Sequence, residues 1–109
     1  MSDPHETITI TIRVDGDAAL VEVSGELDLH AAGDLTRAIA PVLDASPSTI
    51  GIDARGLTFA DSAGLRALLQ ARADAEQRGI TLRLTHLSEA LDRLLEITGL
   101  RAILHDPVT

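Results

Sequence analysis

The run Thr49-Ile50-Gly51-Ile52-Asp53-Ala54-Arg55-Gly56-Leu57-Thr58-Phe59-Ala60-Asp61-Ser62-Ala63-Gly64-Leu65 decides the fold. It begins as a short apolar strand, Thr49 to Asp53, whose residues read as buried on both faces in the manner of a central parallel strand. Past Ser62 the apolar residues change period: Leu65, Leu68, Leu69, Arg72 and Ala75 recur at intervals of three and four, which predicts a helix that ends at Gly79. The junction therefore carries a serine beside a carboxylate at a helix start. Unpaired N–H groups and the positive end of a helix dipole meet there, so Ser62 could be a nucleophile, a cap or a phosphate acceptor.

Upstream, Thr7 to Val14 alternates strictly and sets Ile8, Ile10, Ile12 and Val14 on one face of a half-buried strand. Asp15-Gly16-Asp17 has turn chemistry, and Ala19, Val21 and Val23 alternate after it, so the two runs read as an antiparallel hairpin. Gly25-Glu26-Leu27-Asp28 breaks the pattern, with Asp28 a candidate cap. From about His30, Leu35, Ile39, Val42 and Leu43 are spaced as a helix, which Pro41 is expected to kink or stop. Downstream, Ile80 to Thr85 alternates as a strand, Ser88 caps a helix through Leu91, Leu94, Leu95 and Thr98, Gly99 ends it, and Ala102-Ile103-Leu104 reads as a last short strand. The order is β-β-α-β-α-β-α-β. It specifies a single α/β domain over residues 1–109: an N-terminal hairpin, a mostly parallel mixed sheet and helices packed against it, with residues 1–6 and 106–109 as flexible tails. Sites in open α/β sheets lie beyond the carboxyl ends of strands, where Asp53 to Ser62 falls.

Composition removes whole classes of function. Of the 109 residues 45% are hydrophobic, almost all aliphatic, and Phe59, read as a core residue, is the lone aromatic, so no platform for base stacking exists. A formal charge of −8 repels a phosphate backbone, which makes nucleic acid an unsuitable direct partner. The lack of cysteine removes disulfides, thiolate catalysis and sulfur ligands together. His5, His30, His86 and His105 have no metal-ligand spacing and read as surface or loop residues, and neither a metal nor a cofactor is expected. The polar start and the want of any long apolar run imply a soluble, cytoplasmic chain with no membrane contact.

Gly25-Glu26-Leu27-Asp28 with Ala32 and Leu35, followed by Ile52 to Leu65 with its Asp61-Ser62-Ala63-Gly64-Leu65, resembles the STAS domain family, and within it the bacterial anti-sigma factor antagonists. The resemblance spans nearly the whole chain in order. It implies a regulator without enzymatic activity that, unphosphorylated, binds an anti-sigma factor serine kinase and frees a sigma factor. That kinase, using its own ATP and Mg²⁺, would phosphorylate Ser62 and so release itself, and a serine phosphatase would reset the switch. Many members carry a second hydroxyl residue after the acceptor; here Ala63 stands there, leaving Ser62 as the acceptor of the motif. Asp28 matches an aspartate beside the acceptor, and the implied partner surface is Asp28, His30, Ala31, Asp61, Ser62, Ala63, Gly64 and Leu65. The domain would act as a monomer or weak homodimer.

Two other classes compete. Asp61 is read as a cap accepting from the N–H of Ala63 or Gly64, Gly64 as permitting close packing in the first turn, and Ser62 on its own could be no more than part of that cap. Ala60-Asp61-Ser62-Ala63-Gly64 also has the outline of a nucleophile elbow, with His86 or His105 as base, but a hydrolase needs a larger sheet, a downstream acid before its histidine and an oxyanion loop, none of which the sequence offers. Within binding modules, a stress-signalling scaffold or a lipid-transport complex could house a STAS domain of this kind.

Overall fold

The computed structural model describes residues 8–104. Two strands, β1 (Ile8–Asp15) and β2 (Ala18–Leu27), form the hairpin; α1 (Leu29–Asp44), β3 (Thr49–Ala60), α2 (Ser62–Gln77), β4 (Thr81–Leu87) and α3 (Glu89–Thr98) alternate after it, and one turn of helix, α4 (Arg101–Leu104), ends the described chain. The sheet order is β1-β2-β3-β4, with β1 antiparallel to β2 and the other two pairings parallel. This is the α/β class that the alternation specifies. The two expected tails lie outside the described residues.

The hairpin closes through a two-residue loop in which Gly16 takes φ +59°, the conformation that the first position of a II′ turn demands. Helix α1 begins where Asp28 accepts from the Ala31 N–H at 2.9 Å. Pro41 does not stop it: three further residues stay helical, and burial of Val42 and Leu43 in that last turn holds them there. The aliphatic core gathers Val21, Val23 and Leu27 of β2, Ile50 and Ile52 of β3, and Leu82 and Leu84 of β4 against Leu35, Ile39, Leu68, Leu91 and Leu95 of the helices.

Four expectations are corrected. The strand expected at Ala102 to Leu104 is the helical turn α4. Gly99, in the left-handed region at φ +74°, turns the chain back so that Leu100 N–H donates to Leu95 C=O, and Arg101 pairs with Asp92 at 2.7 Å; the chain is thereby held against α3, and one helical turn delivers Leu104 to the core. Strand β3 runs on to Ala60 instead of stopping near Asp53, because register shifts opposite Glu22/Ser24 and Gly25/Glu26 let it keep pairing with β2 past two irregularities. It is also not covered on both faces. Ile50, Ile52 and Ala54 are buried, but the opposite face carries Thr11, Arg13, Glu22, Ser24, Asp53 and Arg55 and opens to solvent. Finally, the apolar face of β1 is buried only at Ile8. Val14 is 72% exposed, on the outermost strand of the sheet.

Candidate functional site

Residues Leu27 and Ala60 are paired at the carboxyl ends of β2 and β3, and each strand turns directly into a helix. The two helix N-termini therefore stand side by side. Asp28 caps α1, and Asp61 caps α2 by accepting from the Gly64 N–H at 3.0 Å. The two junctions are tied by Asp61 N–H, which donates to Leu27 C=O at 3.3 Å. Contact is closest at Gly64: a Cβ there would lie 2.4 Å from Leu27 O and 2.6 Å from Leu27 Cγ, so only glycine lets α2 seat on β2.

Ser62 is the first residue of α2 and is exposed. Because Asp61 already supplies the cap, the hydroxyl of Ser62 is not consumed, and it makes no hydrogen bond to another described residue. Its neighbours divide by burial. His30 is exposed, its Nε2 3.8 Å from Asp34; Asp28, Asp61 and Ala63 are half-buried; Ala31, Gly64 and Leu65 are buried. Two large apolar residues stand exposed at the same end: Leu29, at 76%, which sequence reasoning did not single out, and Phe59, at 45%. Leu29 lies off the buried stripe of Ala31, Leu35 and Ile39, a helical offset that could have been read from the sequence. Phe59, expected in the core, is turned out after the register shifts of β3, which no periodicity announces.

One further polar cluster sits on the open face of the sheet. Asp53, buried, accepts from the Arg55 backbone N–H at 3.1 Å and from its guanidinium at 2.8 Å, and His86 Nδ1 lies 3.6 Å away. The Arg55 guanidinium and backbone N–H hold the Asp53 carboxyl below the usual carboxylate range against the opposing effect of burial. Every buried side-chain polar atom among the described residues has a partner, and those residues contain no group of three or more His, Cys, Asp or Glu able to hold a metal. His86 is a neighbour of Asp53 and Thr85. His5 and His105 lie outside the described residues. No described helix is long and apolar enough to cross a membrane.

Two strand-cap-helix junctions thus meet at one end of a mixed four-stranded sheet, with Ser62 exposed at the start of α2. The chain belongs to the STAS domain family: the family model described as "Mlab, STAS domain" matches residues 10–105. Among individual proteins it is 28% identical over 97 residues to the anti-sigma-B factor antagonist of Bacillus subtilis, covering 89% of this chain and 88% of that one. The crystal structure of an anti-sigma factor antagonist from Mycobacterium paratuberculosis superposes with a TM-score of 0.80 at 29% identity, over 100% of this chain and 92% of the other. The unphosphorylated anti-sigma factor antagonist SpoIIAA shares the fold, with a TM-score of 0.76 at 20% identity over 93% and 89% of the two chains.

Proposed function

We propose that this protein is an anti-sigma factor antagonist, a non-enzymatic cytoplasmic switch whose state is the phosphorylation of Ser62. The observation that carries the reading is the exposed, uncommitted hydroxyl at the first position of α2, in a chain similar to proteins named as anti-sigma factor antagonists. Unphosphorylated, the chain binds an anti-sigma factor serine kinase through Asp28, His30, Asp61, Ser62 and Ala63, with Leu29 and Phe59 as apolar anchors and the buried Ala31, Gly64 and Leu65 as the frame beneath. A phosphoryl group on Ser62 adds about −1.5 to −2 charges. The helix dipole favours that charge by only about 0.3–1 kcal/mol, or ~2 kcal/mol where partly buried. A partner carboxylate at ~4 Å opposes it by roughly 4 kcal/mol per pair of unit charges at an effective dielectric of ~20. The domain therefore stays folded while its partner surface is spoiled, and a serine phosphatase restores it.

The test is to mix the protein with a candidate anti-sigma kinase and ATP and map the phosphate by mass spectrometry. Phosphate on Ser62, none on Ser62→Ala, and loss of kinase binding in a folded Ser62→Asp support the reading. Modification elsewhere with Ser62 untouched, or undiminished kinase binding by Ser62→Asp, overturns it. Recovery of a large scaffold or a transporter ATPase from a native lysate, in place of an ATP-binding kinase, would instead point to a scaffold or lipid-transport role.

A further inference from the structure

We propose that the free edge of β1 is a contact between two copies of this chain, which pair their β1 strands antiparallel about a two-fold axis. Strand β1 ends the sheet order, and among the described residues β2 is its one strand partner. Its ladder runs without a register shift from Ile8↔Gly25 to Asp15↔Ala18, whereas the β2–β3 and β3–β4 ladders are both shifted. The pair Asp15↔Ala18 closes a two-residue loop and so exchanges hydrogen bonds within the hairpin. Alternation then directs the backbone N–H and C=O of Val14, Ile12, Ile10 and Ile8 away from β2, toward the open edge.

Natural monomers guard such an edge with proline, lysine, bulges or inward-pointing charge. Ile8–Asp15 holds no proline, lysine or bulge; its two charges stand near the hairpin end, Asp15 at the turn and Arg13 held by Glu22 at 3.1 Å on its own sheet. The edge is also greasy where it is most exposed. Ile12, at 39%, and Val14, at 72%, line a groove of about 320 Å³ together with Ala19, Pro41, Val42 and Pro47.

A second copy fits this edge because the alternation of isoleucine and threonine is self-complementary. With Ile12 opposite Ile12 of the other copy, Val14 meets Ile10. Apolar side chains then share the groove side, threonines share the other, and each Arg13 faces Thr11, so like charges are not opposed. In this register Thr9 to Asp15 pair between the copies, and seven residues at roughly 3.4 Å each give a contact only about 24 Å long. That is a small contact beside the ~800 Å² per partner of a standard interface, so the dimer is reversible, with a Kd weaker than about 1 μM. Ser62 starts α2 at the far end of β3 from Pro47 and the groove, so pairing leaves it free. Each copy carries −8, so two copies repel at long range and added salt strengthens the association.

Sedimentation velocity on the full chain, from low micromolar to near-millimolar protein at low and high salt, tests this. The wild type is expected to approach twice the monomer mass at high concentration, at lower concentration when salt is raised. Val14→Lys, at a largely exposed position, should fold with an unchanged circular dichroism spectrum and weaken association on the order of tenfold or more. Ile97→Lys, at a position 76% exposed on α3, should associate as the wild type does. A wild type that stays monomeric throughout, a Val14→Lys that dimerises undiminished, or an Ile97→Lys weakened equally would each overturn the proposal.

Discussion

Two serines stand at two strand-to-helix junctions of this molecule, and they have opposite fates. Ser88, between β4 and α3, is itself the cap: its Oγ accepts from the Leu91 N–H at 3.1 Å, and the residue is buried. Ser62, between β3 and α2, follows a cap. Asp61 takes the Gly64 N–H, and the serine is carried one position into the helix, exposed. The same residue type at the same kind of junction is a structural hydroxyl in one place and a free one in the other. What separates them is whether a better acceptor precedes the serine.

The largest expected effect tests what places the β3 junction. Gly64→Ala drives a methyl into Leu27 and should cost about 3 kcal/mol by overpacking, read as a lowered Tm, and should tilt α2 enough to weaken partner binding as well. A neutral Gly64→Ala would mean that α2 is not seated on β2 as described.

Asp53→Asn comes next, at about 2 kcal/mol, because it removes charge-assisted bonds that hold the turn of β3 between Asp53 and Arg55. Its pH dependence has a definite sign. The folded-state pKa of Asp53 is depressed chiefly by Arg55, so its contribution is complete above the unfolded value near ~3.9 and is lost as pH falls through the folded value. Denaturant titrations should therefore show the gap between wild type and Asp53→Asn closing below about pH 4. A gap constant from neutral to acid would remove the carboxylate from the account.

The serines themselves give the smaller and more pointed contrast. Ser88→Ala should cost about 1 kcal/mol, the worth of a cap. Ser62→Ala should change stability by less than about 0.5 kcal/mol, as an exposed position outside the cap, while abolishing phosphate incorporation. Equal losses in urea unfolding would erase the distinction between the junctions.

Much of this was legible in the sequence. The hairpin, the alternation of strands and helices, both aspartate caps and the serine beside one of them follow from local chemistry: turn residues, cap acceptors and hydrophobic period act over a few neighbours. Ala102 to Leu104 was not legible, since three apolar residues suit a strand or a helical turn equally, and the Gly99 turn with the Arg101–Asp92 pair decides between them. Neither was the outward turn of Phe59. Period counting assumes an unbroken ladder, and β3 has two register shifts upstream of it.

The sequence by itself determined the order of elements as far as α3, and the caps, because each rests on interactions within one turn or one strand; the choice of Ser62 as candidate acceptor rests on the family resemblance. Only the tertiary structure decided which of those residues face outward. It brings the α1 and α2 N-termini together through Leu27 and Gly64, leaves Ser62, Leu29 and Phe59 exposed at one end, and, among the described residues, leaves the greasy edge of β1 without a second strand. Exposure depends on where distant elements stop covering one another, and that length is set by packing, not by any local pattern.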